Sequence, residues 1–458
     1  MFKPLLYSLA GLFATAVFAQ TPGAAMGGEY VFNSQHINCT TPLQHAQIEQ
    51  LLNQKKDSLG RAKKLIAKST NQNPLFIWPV QQADGFNYNS TWSISNYVDH
   101  NAAYPNQVTD FNCGMRTYDT ADGYNHAGID IFTWPFSWSQ MQNNQTKVVA
   151  AAPGQIIYKS DGNFDQNCTF NSDNWNAVYI LHTDGSIAWY GHMKKNSLTA
   201  KQVGATVEQG EFLGFIGSSG NSTGPHLHFE VYNADLDLID PYAGSCNDLN
   251  TASWWQDQKP YANPNINALL THTAPPDFNT CPETESVNDA TTFSAGQTVY
   301  SAIYFRDQQP GTTVTLRVRR PNNTLKYNWT ANLNDSYYSS YWYWAIQTDM
   351  DGIWTWEATY QGQTVTHSFT VGTLGTAANS LSATTLFPNP AGDVVSITGN
   401  TTVVGASVYD GLGKLLSEEK NPDGLTQLDT SALADGIYQV TLSDASGVTK
   451  TVKLVRKK

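Results

Sequence analysis

Four of the ten histidines fall, with one aspartate, into three short clusters whose residue types could hold a metal ion and move protons. The first is YNHAGID, residues 124–130, where His126 and Asp130 stand four apart, a separation that brings side chains to one face of a strand as well as of a helix. The second is WYGH, residues 189–192, ending on His192. The third is GSSGNSTGPHLHFEV, residues 217–231. Its Gly, Ser and Asn residues cannot form a packed strand, whereas the stretch after Pro225 can start one. Alternation along that strand puts His226 and His228 on one side and leaves Leu227, Phe229 and Val231 for the other. Taken alone, this pair reads equally as core or surface histidines. With the other clusters, neutral imidazoles and a carboxylate suit a borderline-soft ion. Three protein ligands leave one tetrahedral position for water, the design of a catalytic zinc site. Glu230 shares the strand face of the two histidines and could orient one of them, or serve as a plain structural carboxylate. No H-E-x-x-H helix is present to supply a glutamate base.

The elements that must position these residues read as strands. Gly128 inside the first cluster, with Ile131 and Phe132 after it, favours loop and strand over helix. Apolar runs at 75–78, 148–152, 155–158, 177–182 and 186–190 are expected strands, the last two joined by the Asp184-Gly185 hairpin signal. Spaced glycines over 203–217 suggest tight turns in a small antiparallel structure. A biotinyl or lipoyl carrier has similar punctuation, but its lysine-bearing hairpin has no convincing counterpart here. His182 beside the hairpin is a weaker site candidate, and His36, His45, His100, His272 and His367 are taken as structural or surface residues.

Around this domain the chain divides further. Residues 1–19, with Lys3, an apolar run and a small-residue end, are expected to be a secretory signal peptide; no later segment is long and apolar enough to span a bilayer. Residues 20–73 form a helical lead-in, with Thr41 as cap and Pro42 at the first helical position; it is either a pro-segment covering a site or an extension packed beside the next domain, the second being favoured. Residues 74–245 are the metal-binding domain and 246–280 a linker. Residues 281–371 carry evenly spaced alternating strands, as in an immunoglobulin-like or fibronectin-like sandwich. There Tyr341 and Tyr343 face opposite to Trp342 and Trp344, one aromatic face being core and the other covered by a neighbour or open to sugar or peptide. Residues 372–382 are a second linker and 383–458 a further small β unit. The expected class is therefore mainly β. A net charge of -12 with no basic stripe excludes a nucleic-acid partner.

The five cysteines lack C-x-x-C spacing, so a zinc ribbon is unsupported and disulfides are expected in an exported chain. Locality favours Cys113 with Cys168 and Cys246 with Cys281. Cys39 is then left over: free, in a removable segment, or offering its thiolate to the open position of a zinc ion until processing removes it.

In their order, H-x-x-x-D, Y-G-H and G-N-S-T-G-P-H-L-H-F-E resemble the lysostaphin and LytM-type zinc metalloendopeptidases. GMR at 114–116, VAAAPG at 149–154 and the glycine-spaced 203–217 run match the same framework, and the likeness covers residues 74–245. It implies that His126, Asp130 and His228 ligate one catalytic zinc ion, that His192 and His226 are the catalytic histidines, and that the substrate is the peptide part of peptidoglycan. The rival readings are a protease of glycine-rich extracellular proteins and a non-catalytic cell-wall binding protein or adhesin. Two long insertions, residues 132–145 and 161–175, depart from the family pattern and are expected to rim the groove. In the first, Trp134, Phe136 and Trp138 either line substrate subsites or pin the loop down. Near the end, FPNP at 387–390, VYDGLGK at 408–414, LADGIY at 433–438 and a basic terminus resemble the type A sorting domain of the Bacteroidetes type IX secretion system. That implies type IX machinery as partner and a protein that is secreted or attached to the cell surface.

Overall fold

The computed structural model describes residues 20–32, 36–68, 72–278, 281, 285–372, 381–445 and 447–457; the expected signal peptide and most of the 372–382 linker lie outside them. The chain forms two compact units, Met1–Gly372 and Thr373–Lys458. Strands dominate both, as the composition of alternating segments requires. No helix among the described residues is long and apolar enough to cross a membrane.

The central sheet of the first unit runs in the order Trp92–Asn96, Ile129–Thr133, His226–Tyr232, Ile187–Gly191, Ala177–Leu181, Gly154–Ser160 and Thr206–Val207, all antiparallel. Its two faces differ. Ile129, Ile131, Leu227, Phe229, Val231 and Tyr190 point to one side, into a core shared with Phe76, Leu213 and Trp255. The other side carries Trp189, Tyr179, Leu181 and Tyr232, and is covered by Leu52 and Leu59 of the helix Pro42–Arg61. That helix begins as expected: Thr41 accepts from the Gln44 N–H while the Gln44 side chain accepts from the Thr41 N–H, and Pro42 fills the first helical position.

Two expected elements are different. The 75–78 run makes only a single bridge, Phe76 with Trp255, because the prolines at 74 and 79 withhold ladder donors on either side. The 246–280 stretch is not a linker. Trp254 and Trp255 complete the core beneath the central sheet, and Asn265–His272 is a strand of the next sheet.

That sheet has the order Met26–Glu29, Tyr337–Ile346, Val299–Gln308 and Asn265–His272, so its edge strand comes from the lead-in. It faces a second sheet, Thr292–Phe293, Gln363–Val371, Gly352–Tyr360, Thr312–Arg319 and Leu325–Leu333, across a core containing Trp344, Trp354 and Trp356. Tyr341 and Tyr343, on the opposite face, pack with Phe132, Trp134, Phe136 and Tyr304. The expected division of the aromatic run into a core face and a face covered by a neighbour therefore holds.

The disulfides connect Cys113 with Cys246 and Cys168 with Cys281, correcting the pairing expected from locality. Nearness in sequence is a poor guide where antiparallel strands bring distant loops together. Cys39 is free and buried.

The second unit holds two sheets, of three and four strands, around Val395, Val408, Val440 and Leu454. Among its sequence landmarks, Asp410 closes a turn by accepting from the backbone N–H groups of Leu412 and Lys414, and Asn389 ties its segment to the last strand by accepting from the N–H of Val455.

Candidate active site

Strand register brings the first three residues together. Asp130 lies directly opposite His228 on the neighbouring strand, and Gly191 lies opposite His228 on the other side. Alternation then turns Asp130, His226, His228 and Glu230 to the helix-covered face. His126 arrives from the loop before Ile129. His228 Nδ1 is 2.9 Å from Asp130 Oδ1, His126 Nε2 is 3.1 Å from Asp130 Oδ2, and the two imidazole nitrogens are 3.3 Å apart. Donors on a tetrahedral zinc at its usual bond lengths of about 2.0–2.1 Å lie about 3.3 Å from one another, so this nitrogen and oxygen set fits the ion.

Neighbours orient each member. His126 Nδ1–H donates to the Tyr97 carbonyl at 2.7 Å, leaving Nε2 as the lone-pair atom. Asn96 Nδ2 donates to Asp130 Oδ2 at 3.1 Å. Glu230 Oε2 is 3.8 Å from His228 Nε2, and its other oxygen accepts from the Tyr232 hydroxyl at 3.0 Å. Gly128 is required by close approach: a Cβ there would stand 2.6 Å from the His228 ring. Burial penalises the Asp130 carboxylate, but the surrounding imidazoles, His126 foremost, hold it well below the usual range. Burial also pulls the His126 imidazole down, and Asp130 reverses this, to about 9.

His192 and His226 form a second pair, with ring centroids 4.4 Å apart. His192 follows the last residue of the Ile187–Gly191 strand with φ 58°, a left-handed conformation costly for a side-chain-bearing residue, which turns it back over the sheet. Its Nδ1–H donates to the Ser219 carbonyl at 2.7 Å, and His226 Nδ1–H donates to that of Gly224 at 2.8 Å. Both carbonyls come from the Gly and Ser loop ahead of the His226–Tyr232 strand. Each imidazole therefore leaves Nε2 to act; that of His226 lies 3.6 Å from Asp130 Oδ1, and that of His192 is buried with no hydrogen-bond partner among the described residues. Burial, then the nearby His226, lowers the His192 pKa.

Trp175 closes one side of the cluster, edge-on to His192 at 5.1 Å, so the 161–175 insertion does reach the site. The other insertion does not line a groove. Trp134 and Phe136 are buried against the sandwich sheet, with Trp134 Nε1–H bonded to the Phe305 carbonyl, and Trp138 is buried as well. The reading of these three as substrate contacts is replaced by the alternative, a loop pinned to its neighbour. His182 is held by the Pro153 carbonyl, outside the cluster.

None of the five clustered residues is more than 4 % exposed, and the lead-in is what covers them. Phe32 stands edge-on to His226 at 5.7 Å, and His36 stacks on Tyr118, which in turn stacks on His126. Cys39 places its sulfur within 4.8 Å of a ligand atom of each of His126, Asp130 and His228, and likewise of His192 and His226. Sequence reasoning missed Tyr97, Asn96, Ser219 and Trp175. Two of these act through backbone carbonyls, which leave no residue-type signal.

Residues 124–241 match the family model of peptidase family M23, and residues 385–457 that of a secretion system C-terminal sorting domain. Over 87 residues the chain is 40% identical to the DD-carboxypeptidase/endopeptidase Mpg of Neisseria meningitidis serogroup B, covering 19% of this chain and 17% of that protein. Over 110 residues it is 32% identical to the glycyl-glycine endopeptidase ALE-1 of Staphylococcus capitis, covering 24% and 25%. The match thus spans no more than 25% of either curated relative. The crystallised catalytic domain of lysostaphin from Staphylococcus simulans aligns at 26% identity over 27% of this chain and 83% of its own, with a TM-score of 0.21. All five clustered residues lie inside the first matched stretch, and the chain thus carries a peptidase M23 domain of the LytM and lysostaphin kind, together with a type IX sorting domain.

Proposed function

We propose that the protein is a secreted, zinc-dependent endopeptidase that hydrolyses peptide bonds in the cross-links or bridges of peptidoglycan. The observation that carries this reading is the close set of His126 Nε2, His228 Nδ1 and the Asp130 carboxylate, the two nitrogens 3.3 Å apart and each 2.9–3.1 Å from one of its oxygens, beside a second pair of imidazoles. In this reading His126 Nε2, Asp130 and His228 Nδ1 hold one zinc ion, while Glu230 steadies the His228 ring. The ion supplies a Lewis acid that polarises a peptide carbonyl and makes water acidic enough to react near neutral pH.

The protein's own part is proton management and exclusion of solvent. With both Nδ1–H groups of His192 and His226 tied to backbone carbonyls, Nε2 is the atom at which either ring takes a proton from water, returns one to the leaving amine, or donates to a developing oxyanion. In the covered site burial lowers the His192 pKa, which favours the neutral ring that can accept a proton. The proposed substrate class is supported by the relatives, whose names describe DD-endopeptidase and glycyl-glycine endopeptidase activities. The sorting domain supports export through type IX machinery to the medium or the cell surface.

The test is digestion of whole peptidoglycan and, separately, of a glycine-rich protein, by wild type and His192→Ala, each with and without proteolytic removal of the lead-in. New peptide ends from peptidoglycan, absent in the variant and after chelation, are expected. Cleavage of the protein alone would move the substrate to extracellular proteins, and no cleavage of either by the trimmed, zinc-loaded chain would leave a binding module.

A further inference from the structure

Cys39 is the one cysteine outside the two disulfides, which removes a bridge within the chain as its purpose. It is buried over the metal-binding triangle, its sulfur 3.3 Å from the Tyr118 hydroxyl. The cluster beneath it leaves His192 Nε2 buried with no hydrogen-bond partner among the described residues. One sulfur with two imidazoles and a carboxylate, all within 4.8 Å of each other, is a four-donor set of the closed kind that zinc takes in structural sites, whereas catalysis needs the fourth position open.

The segment that carries Cys39 is anchored on both sides of the site. Ahead of it, Met26–Glu29 is hydrogen-bonded along Tyr337–Ile346, and Tyr30 stacks on Trp134. At the centre, Asn38 receives hydrogen bonds from Thr120 and Asn221. Behind it, the helix Pro42–Arg61 bonds through His45 to the Tyr232 hydroxyl and through Gln44 to the Ser172 carbonyl. A peptide substrate must reach atoms that this segment buries.

Building on the zinc reading above, we infer that Cys39 is the fourth protein ligand of the metal and that the described residues 20–32 and 36–66 form an inhibitory strap. On binding, the thiol proton leaves to solvent and the thiolate occupies the position that substrate and water need. Cutting the exposed basic run at Arg61, Lys63 and Lys64 detaches the helix side of the strap and opens that position.

The experiment is zinc-edge X-ray absorption on the full chain, on Cys39→Ser, and on the chain after limited trypsin digestion, with zinc content and hydrolysis measured on each. One sulfur at about 2.3 Å is expected in the full chain, replaced by nitrogen and oxygen alone in Cys39→Ser at unchanged zinc content. Trypsin should remove the sulfur signal and raise hydrolysis at least about tenfold, because the fourth position is then free. A full chain that binds zinc through nitrogen and oxygen only overturns the inference and leaves the endopeptidase reading standing. A sulfur-ligated full chain as active as the cut form overturns the strap. Sulfur ligation followed by a cut form that hydrolyses nothing supports the ligand and overturns the endopeptidase reading instead. The wild-type spectrum decides the ligation even if Cys39→Ser folds poorly.

Discussion

The two faces of the His226–Tyr232 strand use the same backbone for opposite ends. On one, Leu227, Phe229 and Val231 disappear into an uninterrupted apolar core. On the other, His226, His228 and Glu230 stand among charged and imidazole neighbours that no apolar packing could tolerate unpaired. The difference teaches how a rigid site is made from a strand: one face fixes the register, and the register alone then sets Asp130 against His228.

This contrast can be broken from either side. The largest effect is expected from Asp130→Ala, which removes one of the three donor groups and two of the three contacts among them; zinc content should fall well below one per chain and hydrolysis of peptidoglycan should be lost, as elemental analysis and fragment release would read. Next, His192→Ala should keep its zinc and its fold but lose about 10²–10⁴-fold in hydrolysis by the trimmed chain. A variant that kept full rate would sink the assignment. On the apolar face, Phe229→Ala should cost about 3–5 kcal/mol in denaturant unfolding while the surviving folded fraction still binds zinc. Loss of zinc at unchanged stability would contradict the separation of the faces. The smallest effect is expected from Glu230→Gln, a weakening of zinc affinity by about 10–100-fold in chelator competition with the fold intact, as for groups that steady a ligand from behind.

How much of this was legible depended on whether a residue's partner lay in its own pattern. His126 with Asp130, and His226 with His228, sit in short motifs whose spacing already implies shared faces, whereas the gathering of these with His192 was implied by the family resemblance. Thr41 and Pro42 announced the helix start because a cap is a local device. Cys39 could only be offered as one of several options, since its approach to residues 87 to 189 positions away depends on a lead-in path that local pattern does not encode. Trp134 and Phe136 were ambiguous for the same reason: an aromatic loop residue looks alike whether it awaits a substrate or a neighbouring sheet. The strand Asn265–His272 was hidden because Pro260, Asn263 and Pro264 just ahead of it read as loop and its run INALL lacks alternation.

The pairing of Met26–Glu29 with Tyr337–Ile346 has a consequence beyond the metal site. While in place, the short strand caps one border of the sandwich sheet. Its departure would uncover the edge N–H and C=O groups of the stretch from Ser340 to Tyr343, a short template for strand addition by another chain. Maturation would then create an adhesive seam as it frees the metal site, and comparing the association state of cut and uncut protein by light scattering reads that directly.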